Sequence, residues 1–432
     1  MNKVVNLSLI TVIAVSSLYA QEAEDRSREP SVRKVIDGFN KVQTKDVDIV
    51  EQFKQMFTKG KMTGQIRSMY AGYYQENDLV EDSHATAVGG MLKYELASLH
   101  GFNAGFAFTT SHDVGLMTGS GENHNAELSS QDGDYTELTE AYLNYNNSGL
   151  NIRLGRQVLD TPLADSDDVR MVQNTFEAYV GTYEISDFTF MGGNIQSWQG
   201  ADTGLGYFED NEDAGKWVDT GPDGVWLAGA TYSGALDANA WYYDISKPEN
   251  ATNIVYLDMG SSYEFSKDIT LYGSIQYLNE SEVDNSGVEA EIYGALVEFE
   301  VYGLGFNVAY NKSVDKEGKR SFSGVGGGTL YTSMDTMILD EIAEDREVDA
   351  FVTGVVYRYN NFGFLYAYGS FEGGENSLGE KAHIVEQDMG MSYSVNDEFE
   401  VAMLYVIEQD KESKEKNEND WNRAQVIVKY DF

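Results

Sequence analysis

From Met62 to Phe432 the sequence repeats one pattern: segments of about 9–15 residues in which apolar and polar side chains alternate. Eighteen such segments are legible, at 62–76, 85–98, 101–112, 135–147, 150–158, 175–184, 187–199, 224–233, 235–246, 251–265, 269–281, 287–301, 303–314, 347–360, 362–374, 381–396, 398–409 and 421–432. Successive side chains of a strand point to opposite faces, so each segment reads as a strand with one apolar and one polar side. In the third, Phe102, Ala104, Phe106 and Phe108 oppose Asn103, Gly105, Ala107 and Thr109. In the last, Ala424, Val426, Val428, Tyr430 and Phe432 oppose Arg423, Gln425, Lys429 and Asp431. The two faces ask for different solvents.

Connections alternate in length as well. Short turns at 98–102, 147–150, 184–187, 233–237, 265–268, 301–303, 360–362 and 395–398 are interleaved with longer polar links, among them 113–134, 159–174, 200–223, 315–346 and 410–420. Short turns at one end and long loops at the other are the habit of a transmembrane β-barrel. Pro162, Pro222 and Pro248 fall in long links and Pro30 in the leader, so no strand loses a ladder donor. Most segments reach the ~9–11 residues that cross a bilayer with tilt. In lipid no sheet edge stays unpaired, so the sheet must close. The expected fold is all-β: an antiparallel up-and-down transmembrane barrel of about eighteen strands. A barrel that wide leaves an aqueous lumen and no ordinary globular core. The terminal Phe432 also resembles the end of a bacterial outer-membrane protein.

The 71 Asp and Glu residues against 30 Lys and Arg give a net charge of −41. Such a surface repels phosphate backbones, which excludes nucleic acid as a partner. Without cysteine there is no disulfide framework, thiolate metal site or Cys nucleophile. Met1–Ala20 reads as a secretion signal, with Lys3 ahead of the apolar stretch Leu7–Val15. Residues 21–61 form a separate short helical segment, periplasmic or plug-like. Val32, Val35, Ile36, Phe39 and Val42 recur at helical spacing, as do Ile49, Val50, Phe53, Met56 and Phe57. Two short amphipathic helices packed on the same chain are expected there. The domain plan is therefore 1–20 signal, 21–61 helical segment and 62–432 barrel.

Residues 155–179 (GRQVLDTPLADSDDVRMVQNTFEAY), 64–74 (GQIRSMYAGYY), 92–108 (LKYELASLHGFNAGFAF), 134–145 (DYTELTEAYLNY) and 324–334 (GVGGGTLYTSM) carry a resemblance. Together they resemble the porin D (OprD-like) family of substrate-selective outer-membrane channels, in particular members from epsilon-type bacteria. The resemblance covers most of the chain after its signal and is densest over 62–180. It implies a monomeric eighteen-stranded barrel in the outer membrane, a third loop folded into the lumen, and a track of arginines guiding carboxylate-bearing solutes. Gln173 stands where the family has Pro.

The track carries over in part. Arg156 and Arg170 sit in the matched loop motif and Arg67 in the matched first strand, where it shares a face with Thr63 and Gln65. Arg153, Arg423 and Lys429 are channel-lining candidates by parity; Arg358 has no clear parity. Asp165, Asp167 and Asp168 crowd the loop that carries Arg170, so an inward fold would set acids against arginines across the lumen and orient dipolar solutes. Parity also turns Glu386, Asp388, Glu400 and Glu408 inward, which weakens a preference for anionic solutes.

Other chemistry is faint. Gly324–Gly328 lacks the Gly-Lys-Ser/Thr of a phosphate loop and reads as a flexible link. His84, His100, His112 and His124 are scattered over loops and turns. The acidic stretches 132–134 and 209–213 lack calcium-loop spacing. No cofactor, metal site or enzymatic set is expected. The expected function is a porin passing small hydrophilic solutes and ions. The alternatives are a cation-preferring general porin and a structural or adhesin barrel. The expected partners are outer-membrane lipid and lipopolysaccharide, and a monomer is favoured over a trimer.

Overall fold

Alternation along the chain becomes alternation across a wall. The computed structural model describes residues 49–432 apart from 78, 129–134, 169, 201–215, 323, 327 and 414–418. The secretion signal, the spacing at Val32–Val42 and the acidic stretches 132–134 and 209–213 lie outside the described residues.

The strands are β1 Lys61–Gln75, β2 Ser83–Glu95, β3 Phe102–Asp113, β4 Tyr135–Asn147, β5 Leu150–Gln157 and β6 Thr175–Ile185. They continue with β7 Phe188–Gln199, β8 Val225–Ser233, β9 Asp237–Ile245, β10 Thr252–Ser266, β11 Ile269–Glu282 and β12 Ala290–Val301. The last six are β13 Leu304–Ser313, β14 Val348–Tyr359, β15 Phe362–Gly373, β16 Ala382–Ser394, β17 Phe399–Asp410 and β18 Trp421–Asp431. A two-residue strand, Val218–Asp219, adds to the outer end of β7. Each long strand pairs antiparallel with its chain neighbours. The sheet closes where β1 meets β18, from Gln65 opposite Asp431 to Gln75 opposite Trp421.

Closure is completed by the last residue. The backbones of Gly64 and Phe432 exchange two hydrogen bonds of 2.9 Å. The Phe432 ring lies so close over Gly64 that a Cβ there would sit 2.4 Å from it, so a larger residue would have to displace the ring. Two of the tight turns use Ser148–Gly149 and Tyr302–Gly303, each with φ positive at both residues. That geometry matches the twist of a two-residue hairpin.

The outward face is apolar, as the alternation requires. Near the short-turn end it carries packed aromatic groups: Phe102 with Tyr145, Phe188 with Tyr232, Tyr263 with Phe265, and Phe362 with Tyr393, with ring centroids 4.6–4.8 Å apart. These rings form the interfacial girdle of a membrane barrel.

The inside holds an apolar core where none was expected. Leu163, Phe322, Val325, Leu330, Met334 and Met337, all from outer loops, are buried in one cluster with Trp198, Ile292, Leu296, Val352 and Phe371 from the inner wall. The loops supply a core that strand periodicity could not reveal. The Gly-rich link is correspondingly not a free tether. Gly326 (φ 96°) passes so close to the loop after β5 that a Cβ would come within 2.6 Å of Asn174.

A single helix, α1 (Ile49–Thr58), precedes β1 among the described residues. It is attached at the short-turn end. The Ala97 N–H donates to the Met56 carbonyl at 3.0 Å, the Tyr94 hydroxyl donates to the Phe57 carbonyl, and Gln52 meets His100 at 3.2 Å. Met56 is buried, but Ile49, Phe53 and Phe57 are exposed, so most of its apolar face is not packed on the described residues.

Candidate functional site

Three outer loops turn into the barrel and meet at the β1–β18 seam. They are the β3–β4 loop carrying Glu127, the β5–β6 loop carrying Arg170, and the β13–β14 loop carrying Asp335. The wall contributes Arg67 and Tyr73 from β1 and Arg423 from β18, all on the inward parity.

Two arginines and two carboxylates form the centre. Arg423 Nη1 lies 2.5 Å from Asp335 and Nη2 lies 2.8 Å from Glu127. Arg170 reaches Glu127 at 3.7 Å and Asp335 at 3.8 Å. The Tyr73 hydroxyl donates to Glu127 at 2.6 Å, and its ring lies under the Arg423 guanidinium at 5.3 Å. Arg423 is fully buried and Arg170 is 8% exposed. Charges this buried are costly to desolvate and persist only because each has its partners. Burial opposes ionisation of Glu127, but Arg423, Arg170 and the Tyr73 hydrogen bond outweigh it and hold the carboxyl below its usual value. Arg67 extends the cluster. Its Nη2 lies 2.9 and 3.0 Å from the two oxygens of Asp168, and Nη1 donates to the Arg170 carbonyl.

The expected acids of the β5–β6 loop therefore separate. Of the three, Asp168 meets an arginine, Arg67. Asp165 is turned into the loop: its carboxylate accepts from the Ser166 N–H at 2.7 Å, while the Ser166 hydroxyl donates to Asp160 at 2.6 Å. Burial, then the nearby Asp160 charge, pushes the Asp165 carboxyl up to about 7. Asp167 sits at a bend with φ of 30°. The acids facing Arg170 and Arg423 come from two other loops. Opposed charges thus touch instead of facing one another across open water. Neither Glu127 nor Asp335 is singled out by sequence, because a loop has no parity from which to read direction.

The other basic candidates lie along the wall. The Arg153 guanidinium stacks on the Tyr142 ring at 4.4 Å. Arg156 lies over Trp217 at 4.2 Å and reaches Glu177 at 3.5 Å. Lys93, on the inward parity of β2 and missed by sequence reading, pairs with Glu140 at 2.9 Å. Lys429 meets Asp431 at 3.3 Å, beside Arg67 in the β1–β18 register. Arg358 falls on the inward parity of β14, with Val352 and Val356.

Two of the inward acids have a structural task. Glu386 accepts from the backbone N–H groups of Thr336 (3.1 Å) and Met337 (2.7 Å), and Asp388 accepts from that of Asp335 at 3.4 Å. A buried loop must have its backbone groups satisfied, and these strand carboxylates do so. Gln276 and Asn311 act alike on Tyr331 and Thr332. Glu341, in the same loop, has its carboxyl pushed up to about 7 by burial and then by the charges of Glu386 and Asp340. No cluster of His, Asp and Glu among the described residues has metal-binding geometry.

The model of the outer membrane porin, OprD family, matches residues 104–432. Three solved structures share the fold. Pseudomonas aeruginosa OpdK with vanillate is 14% identical, covering 87% of this chain and 99% of its own, with a TM-score of 0.72. P. aeruginosa OccK9 (OpdG) is 13% identical with the same coverages and a TM-score of 0.73. A BenF-like porin from Pseudomonas fluorescens is 14% identical, covering 86% of this chain and 98% of its own, at 0.73. No curated protein sequence matches the chain. With more than half of its length matched by the family model and the same eighteen-stranded barrel, the chain belongs to the OprD family of bacterial outer-membrane porins.

Proposed function

We propose that this porin passes small carboxylate-bearing solutes along the basic side of its lumen, past Lys93, Arg153 and Arg156, toward Arg67 and Asp168 at the constriction. The observation that carries the reading is Arg153. Its guanidinium rests on an aromatic ring, and among the described residues no carboxylate comes within ion-pairing distance. An inward guanidinium so placed offers paired donors to a passing carboxylate, which matches their fork geometry. OpdK, which shares this fold, was solved with vanillate, an aromatic carboxylate.

A second reading, a cation-preferring channel, is favoured by the neutralisation of Arg67, Arg170 and Arg423 by Asp168, Glu127 and Asp335. The acidic outer links, with seven acids and one lysine in 200–223, add to it by enriching cations at the mouth. Reversal potentials in a KCl gradient across planar bilayers, with liposome swelling by amino acids, organic acids and sugars, separate the two. Faster swelling with organic anions than with neutral sugars of similar size supports the carboxylate reading. Equal rates with cation-selective potentials reject it.

A further inference from the structure

Helix α1 leaves an amphipathic face without a protein partner among the described residues. Ile49, Phe53 and Phe57 fall within about a third of the helical circumference, at 100° per residue, and all three are more than half exposed. The contacts that fix the helix show which way this face is set. Tyr94, whose hydroxyl holds the Phe57 carbonyl, stands on the outward parity of β2 with Leu92. Its partner across the ladder is Met62, on the outward parity of β1 with Ile66 and 62% exposed. The apolar face of α1 therefore continues the lipid-facing surface of the first two strands at their short-turn end. Lys54, Lys59 and Lys61 are exposed beside it, in a chain with a large excess of acid. Lys54 lies 3.8 Å from Glu51.

We propose that α1 is an interfacial helix. Its apolar face enters the boundary of the membrane leaflet at the short-turn end of the barrel, and its lysines meet anionic phospholipid headgroups. An apolar stripe flanked by basic residues is the pattern that binds in the plane of a bilayer interface. The occupant is lipid because the face is continuous with a surface that lipid already covers.

The absence of cysteine makes a direct test simple. Single substitutions Phe53→Cys and Phe57→Cys each carry one spin label on the full folded chain, in nanodiscs of phosphatidylethanolamine and phosphatidylglycerol. Ile66→Cys supplies the lipid-facing reference and Thr58→Cys the water-facing one. Collision with molecular oxygen relative to a water-soluble nickel complex is expected to be several-fold higher at Phe53 and Phe57 than at Thr58, approaching Ile66. Labels at Phe53 and Phe57 that meet nickel as freely as Thr58 overturn the proposal. So does protection from both reagents, which would place protein such as residues 21–48 on the face; Ile49→Cys repeats the reading if either label disturbs folding. Lys54→Glu with Lys59→Glu is expected to lower the Phe57 ratio, and an unchanged ratio removes the headgroup contact.

Discussion

The two sides of the lumen are built from the same alternating strands, yet their inward residues differ in kind. On the side of β11–β16 the wall presents Ile292, Leu296, Val352 and Phe371 with Gln276, Asn311 and Glu386, and the β13–β14 loop packs against it. On the side of β2–β5 the wall presents Lys93, Glu140, Tyr142 and Arg153; Lys93 pairs with Glu140 along the wall itself, and Arg153 rests on the Tyr142 ring. The difference shows that an inward position has two possible neighbours. Where a loop covers it, the side chain must pack or satisfy loop backbone. Where water covers it, charge is tolerated and selectivity can be built.

If the packed side is held chiefly by the buried quartet, Asp335→Ala should have the largest effect. It leaves Arg423 and Arg170 buried with one carboxylate between them, a loss of about 3–5 kcal/mol for a broken buried pair. The expected outcome is a loosened β13–β14 loop, read as higher single-channel conductance and faster protease cleavage within 315–346. Unchanged conductance and cleavage would mean that apolar packing alone holds the loop. Glu386→Ala comes next. It orphans the N–H groups of Thr336 and Met337 at about 1–3 kcal/mol each, partly relieved if water enters, and should loosen the same loop less.

Proton uptake sharpens the comparison further. The Asp165 and Glu341 carboxyls are raised to about 7 in the folded protein. A raised acid favours the folded state when protonated, so its contribution is complete below its ordinary value and fades as pH climbs through about 7. Glu127 is lowered, so its contribution is lost only when pH falls through that depressed value. Loop docking should therefore be tighter at about pH 5 than at about pH 8, and conductance should rise between them. A flat conductance over that range would count against it. The smallest effect is expected on the open side. Arg153→Ala should shift anion permeability relative to potassium downward by on the order of twofold, a part of the potential that summed wall charges create. It should leave cleavage of 315–346 untouched.

Much of the barrel was legible in sequence because period-two alternation fixes both strand and face. All eighteen segments became strands, and Arg67 and Arg423 turned inward as their parity required. The site was only partly legible. Asp168 lay in the motif that suggested it, but Asp165 turned into its own loop, and Glu127 and Asp335 were invisible because irregular backbone gives no rule for direction. The same limit hid the loop core. Leu330, Met334 and Met337 are apolar without periodicity, and Gly324–Gly328 looked like slack where close backbone approach required glycine. Lys93, by contrast, stands on a readable face of β2. The acids at Glu386 and Asp388 were placed correctly, but their work is to receive loop N–H groups.

The quartet of Arg170, Arg423, Glu127 and Asp335 is electroneutral, and that sets its range. Alternating charges in contact cancel at a distance, so the potential around them dies away faster than that of any single ion. A solute senses the quartet only by touching it. The net negative charge of the outer links acts over a Debye length, about 8 Å at physiological ionic strength. If both select solutes, they do so with different reach, and added salt should blunt the outer effect while leaving the inner one unchanged.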